Sequence, residues 1–164
     1  VKTLLKLLVA VSVLVMISGC AQLEASQAPE PTASETAPAP DGEPVACSGS
    51  IQGEIENTVN SQTSAFADNN FELAYSFASP SFRSNVSLEG FIQIIASSYG
   101  PLIESSQLRF SNCLVNADTS FSLIDVSFLE AGDYVYGLRY LMVQTPDGWR
   151  VEGAGDLEVV GEGT

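Results

Sequence analysis

The apolar residues of this chain change their spacing once, at Gly100-Pro101, and that change restricts the fold more than any other feature. Before it, Ile51, Ile55, Val59 and Phe66 keep to one face of a helical repeat of about 3.6 residues. Asp68-Asn69-Asn70 breaks the repeat, and Asn70 offers a side-chain acceptor to the free N–H groups of a second helix over 71–77. Ser79-Pro80 restarts a short turn, because proline suits the first helical position. Ser87 caps a third helix carrying Leu88, Phe91, Ile92, Ile95 and Tyr99, which Gly100-Pro101 stops.

Beyond Pro101 the spacing is that of strands. Leu108, Phe110 and Leu114 share one parity. Phe121 and Leu123 alternate, and the apolar parity then passes to Ile124, Val126 and Phe128, which predicts a β-bulge inside that strand. Residues 134–144 follow the turn Glu130-Ala131-Gly132-Asp133, and Thr145-Pro146-Asp147-Gly148 closes a hairpin before Trp149 and Val151. The expected fold is α+β and cone-like: three N-terminal helices packed on one face of a bent four-stranded antiparallel meander. A two-residue loop at Ala131-Gly132 sets Asp125 opposite Leu138, and a bulge or longer loop moves it.

The first 46 residues obey different rules. Lys2 and Lys6 precede an apolar run, Leu7 to Ile17, that is too short to span a bilayer. It ends in Ile17-Ser18-Gly19-Cys20, which resembles the bacterial lipobox: an aliphatic residue, two small residues, then cysteine. The resemblance implies a signal peptide over 1–19, acylation of the Cys20 thiol, and an extracytoplasmic domain anchored by lipid at the cell envelope. Two or three acyl chains hold a protein at a membrane where one does not. Residues 20–46 then form a linker with five of the eight prolines and no aromatic residue, too poor in apolar surface to order itself. The folded domain is expected over 47–160, with a tail over 161–164.

The formal charge is −14, and both lysines lie in the leader, so the rest sets four arginines against 20 acids. Phosphates repel such a chain, which argues against nucleic acid as a partner and leaves the lipid anchor as the membrane contact. There is no histidine, which removes the commonest general base and metal ligand. No cofactor or metal is expected. With Cys20 acylated, Cys47 and Cys113 remain as an even pair outside the reducing cytoplasm, and a structural disulfide is expected between them.

Phe77-Ala78-Ser79-Pro80, Tyr99-Gly100-Pro101 and the closing Pro146-Asp147-Gly148-Trp149-Arg150-Val151-Glu152-Gly153 resemble an uncharacterised bacterial family of the nuclear-transport-factor-two-like superfamily. The chain departs from that pattern at Gly100, where a second proline is common, and at Ala154, where a cysteine is common. The resemblance implies a cone-shaped fold with a concave space between helices and sheet. Tyr75, Tyr99, Leu138, Tyr140, Met142, Trp149 and Val151 are the candidate lining, apolar bodies with a few hydroxyl tips. The expected function is a non-catalytic module binding a small apolar ligand or an envelope protein. The alternative is an isomerase- or dehydratase-like enzyme with Asp125 as base. Against that, Asp125 and Arg139 are expected to point to solvent on the outer sheet face. The oligomeric state is left open.

Overall fold

A computed structural model describes residues 42–130 and 134–162. The expected signal segment, Cys20 and all of the linker up to residue 41 lie outside the described residues.

Helix α1, Gly49–Ala67, begins where the Ser48 side chain accepts from the Ile51 N–H. It ends in a reverse turn around Asn69, whose φ of 55° puts it in the left-handed region. There the Asn69 and Asn70 N–H groups return to the carbonyls of Phe66 and Ala65, so the last carbonyls of the helix are satisfied. Helix α2, Phe71–Ser76, is capped by Asn70, α3, Pro80–Asn85, by Ser79, and α4, Leu88–Ser98, by Ser87, each through a side-chain oxygen. The caps at Asn70 and Ser87 are those the sequence predicts, while Ser79 caps a helix where only a short turn was expected.

Among the described residues five helices stand where three were expected. The turn at Ser79-Pro80 lengthens into α3, and Gly100-Pro101 both ends α4 and opens α5, Gly100–Ile103. Proline lacks only an N–H that the first helical turn leaves unbonded anyway, so it can start a helix as readily as it stops one.

Among the described residues the sheet has six antiparallel strands where four were expected. The meander is β2, Ser106–Val115, β3, Phe121–Leu129, β4, Tyr134–Thr145, and β5, Gly148–Ala154. Strand β1, Val45–Ala46, adds to β2, so the ordered domain begins before residue 47. Strand β6, Glu158–Glu162, pairs with the first part of β4 and takes in residues expected in the tail. At the β4–β5 hairpin Thr145 pairs with Gly148, whose φ of 96° is open to glycine without the penalty that a Cβ brings.

Helices cover one face of this sheet. Ile55, Val59 and Phe66 of α1, Phe91 and Ile95 of α4 and Leu102 of α5 meet Ile124, Val126, Phe128, Tyr140, Met142, Trp149 and Val151 in one core. The parity switch predicted in β3 does not occur. Ser122, Ile124, Val126 and Phe128 all face the core in unbroken alternation, while Phe121 and Leu123 face outward. A serine occupies the inward position at which the pattern required an apolar residue. Ser122 is 2% exposed, and its hydroxyl lies 3.6 Å from the sulfurs of both Cys47 and Cys113. Register shifts fall instead in β2, carrying Gln107 (φ 55°) and Asn112 (φ 47°), and where β4 meets β5 and β6.

Cys47 and Cys113 are joined by a disulfide, Cα–Cα 5.4 Å, which ties the chain just before α1 to β2.

Candidate functional site

Between the helices and the sheet lies a cavity of about 220 Å³. Its wall is built outward from Phe91, the hub of an aromatic cluster: ring centroids of Phe66, Phe82 and Tyr75 lie 5.8, 6.1 and 5.4 Å from it. Phe66, Phe82 and Phe91 line the cavity with Ile95, Leu102 and Val151. Tyr75 stands one ring further back. Its hydroxyl donates to the Val86 carbonyl and lies 3.2 Å from that of Arg83, which fastens α2 to the end of α3.

The three sequence motifs meet at this cavity. Ala78 forms a bridge to Val151, with Ser79 N–H to Val151 O at 2.8 Å and Val151 N–H to Phe77 O at 3.0 Å. The segment between α2 and α3 thereby covers part of the edge of β5, where unpaired backbone groups would otherwise stand open. The Ser79 hydroxyl donates to the Glu152 carboxylate while accepting from the Phe82 N–H, so one serine caps α3 and binds it to the sheet. From the other side, the Tyr99 hydroxyl lies 3.0 Å from the carbonyls of both Ala154 and Gly155. Ala78, Tyr99, Val151, Gly153 and Ala154 all line the cavity.

Of the seven expected lining residues, Tyr99, Tyr140 and Val151 do line it. Leu138, Met142 and Trp149 share the inward face but are packed into the core away from it, 6, 0 and 3% exposed. Parity fixes which face a strand residue takes, while its position along the strand decides whether a helix lies directly upon it. Sequence reasoning missed Gln62, Phe66, Phe82, Phe91 and Leu102. For Gln62 a signal existed: it continues the Ile55, Val59, Phe66 stripe of α1, and a polar residue there must be buried. It is 3% exposed, and its amide donates to the Ala74 carbonyl at 3.1 Å.

The polar tips of the cavity are poorly suited to carry charge. Burial pushes the Tyr140 hydroxyl far above the ordinary phenol range, and the nearby Tyr99 adds to this, against a smaller opposing effect of Thr63. Tyr99 is raised as well, by burial and then by Asp156. Among the described residues no arginine, aspartate or glutamate lines the cavity.

Asp125 lies on the opposite face of the sheet. Strands β3 and β4 pair with Asp125 opposite Arg139, not Leu138, because the connecting loop is one residue longer than the two-residue turn assumed from sequence. Arg139 donates Nε to Oδ1 at 2.6 Å and Nη2 to Oδ2 at 2.9 Å, and Asn112 donates to Oδ2 at 3.0 Å. The hydrogen bond from Arg139 holds the Asp125 carboxyl below the usual range, with Asn112 assisting. On this geometry Asp125 is ionised, occupied and outside the cavity.

The arrangement defines a class: an α+β domain with helices on one face of an antiparallel sheet, and a small, mostly apolar cavity between them with two tyrosines on its lining. The chain belongs to the family described as Domain of unknown function (DUF4864), which matches residues 50–163. No curated protein matches the chain. No helix among the described residues is long and apolar enough to cross a membrane.

Proposed function

We propose that this chain is a lipid-anchored extracytoplasmic protein whose domain is a cone-like, non-catalytic module that binds a small apolar ligand. The observation that carries the binding reading is the cavity of about 220 Å³ walled mostly by aromatic and aliphatic side chains, with no charged residue on its lining among the described residues. An apolar cavity of about 150 Å³ accepts benzene, so this one suits a ligand of one or two small rings or a short branched chain. Tyr99 and Tyr140 are the phenols on the lining; like any tyrosine they are protonated near neutral pH, and burial raises both further, so they move protons poorly there. The anchor rests on Lys2, Lys6, the apolar run and Ile17-Ser18-Gly19-Cys20. Helices on one face of a bent sheet agree with the nuclear-transport-factor-two-like resemblance.

Two experiments test the halves separately. Titration with indole and with p-cresol, followed by NMR, is expected to shift resonances around Phe91 and Tyr140 saturably. Leu102→Trp, which fills the cavity, should abolish the response while circular dichroism stays native. Binding undiminished in a folded Leu102→Trp protein would refute the site. For the anchor, mass spectrometry of the protein extracted from cells should find an acylated Cys20 at the N-terminus, and an unmodified Cys20 would refute it.

A further inference from the structure

Gln62 of α1 is 3% exposed and lines the cavity with Phe66 and Phe91. Its Nε2 donates to the Ala74 carbonyl of α2 at 3.1 Å, which pins the amide plane. The reverse orientation would set two acceptors against each other, so this bond fixes which atom of the amide points where. Oε1 therefore turns away from Ala74. Among the described residues no donor reaches it, and it is not sealed in either, since no side-chain oxygen among them is both enclosed and unpartnered. A residue so buried, bordering a cavity, keeps that open surface toward the cavity. We infer, on the binding reading above, that the cavity selects a neutral aromatic ligand with a single N–H or O–H donor, and that Gln62 Oε1 is the acceptor that recognises it.

The other polar groups of the lining are already engaged. Tyr99 gives its proton to the Ala154 and Gly155 carbonyls. Tyr140 has the Thr63 hydroxyl beside it, and Thr63 donates to the Val59 carbonyl at 2.9 Å. An amide carbonyl is also a stronger acceptor than a phenol oxygen. An occupant without a donor strips Oε1 of water and returns no hydrogen bond, so it binds against that cost. An ammonium group would satisfy Oε1 but bring a charge for which the lining, among the described residues, has no counter-ion.

The apolar walls select the body of the ligand. Phe91 stacks against Phe66 and meets Phe82 edge-on, so a flat ring entering between them finds both faces and edges. Burial gives the direction of entry. Gln62, Phe66 and Leu102 are closed off, whereas Ile94 is 38% exposed and Ala154 is exposed. The donor enters first, toward Gln62, and the ring fills the space behind it toward Ile94.

The test compares probes of one shape. The purified full chain is titrated by NMR with p-cresol, with 4-methylanisole, whose oxygen is methylated, and with toluene, which lacks the oxygen. Of the three, p-cresol is the most soluble in water, so apolar burial alone would bind it weakest. It is expected instead to bind about tenfold tighter than the other two, the discrimination of one buried hydrogen bond. The Gln62 side-chain NH2 signals should move with p-cresol and much less with toluene. Gln62→Met keeps an unbranched side chain and removes the acceptor, while the Ala74 carbonyl keeps the Phe77 N–H at 3.2 Å. In that variant p-cresol should become the weakest binder. If Gln62→Met does not fold, the wild-type ranking and the amide signals decide. Toluene or 4-methylanisole binding as tightly as p-cresol would overturn the inference and leave the cavity as a binding site. A preference for p-cresol kept by folded Gln62→Met would overturn the role of Gln62. No saturable response to any of the three would overturn both the inference and the binding reading.

Discussion

Replacing both Cys47 and Cys113 with alanine removes a link between residues 66 apart in sequence. The chain-entropy relation gives about 4 kcal/mol for a loop of that length, released as the unfolded chain regains its freedom. Folded-state losses add little. The Cys47 N–H still reaches the Cys113 carbonyl at 3.0 Å, and β1 still pairs with β2. Ser122 loses two sulfur contacts, both long. An unfolding entropy of about 2.1 cal/mol/K per residue, or about 0.25 kcal/mol/K over the domain, converts the loss into a fall of about 17 °C in Tm. Alanine is chosen over serine so that no new hydroxyl enters the core. The assay is thermal unfolding by circular dichroism on the oxidised wild type, the reduced wild type and the double variant, and the last two should agree. A fall of less than about 5 °C, with the disulfide verified by mass, would show that the cross-link does not act by restricting the unfolded chain.

Ser79→Ala should cost about 1–2 kcal/mol in urea unfolding, since one hydroxyl caps α3 and binds Glu152. An effect within error would mean that the backbone bridge to Val151 suffices. Asp125 has a folded pKa below its unfolded value near 3.9, so its contribution is complete above that pH and lost as pH falls through the folded value. Asp125→Asn should therefore lower stability slightly at neutral pH and flatten its fall below about 4, so that the two proteins converge in acid. Tyr140 is shifted the other way: its contribution is complete below the unfolded value near 10 and lost as pH rises toward the folded one. Tyr140→Phe should weaken the alkaline unfolding transition, read by far-ultraviolet circular dichroism, and an unchanged profile would place the cause elsewhere.

The sequence by itself determined whatever is closed within a few residues. Asn70, Ser79 and Ser87 cap their helices because each cap needs only a side chain and an N–H three residues on. Thr145-Pro146-Asp147-Gly148 turns because its torsions are preset, and the helix-to-strand change follows from apolar spacing alone. Gln62 was legible too, as a polar residue on a buried stripe, yet its partner Ala74 lies on another helix and was not. Only the tertiary structure decided what depends on distant neighbours. It set Asp125 opposite Arg139, put Ser122 under the disulfide in an apolar position, and chose Tyr99, Tyr140 and Val151 over Leu138, Met142 and Trp149 as cavity wall. A one-residue change in a loop shifts a whole strand pairing, and a helix crossing a sheet covers some inward residues and not others. Neither is encoded in the local run of residues, because both are fixed by how separate elements share one core.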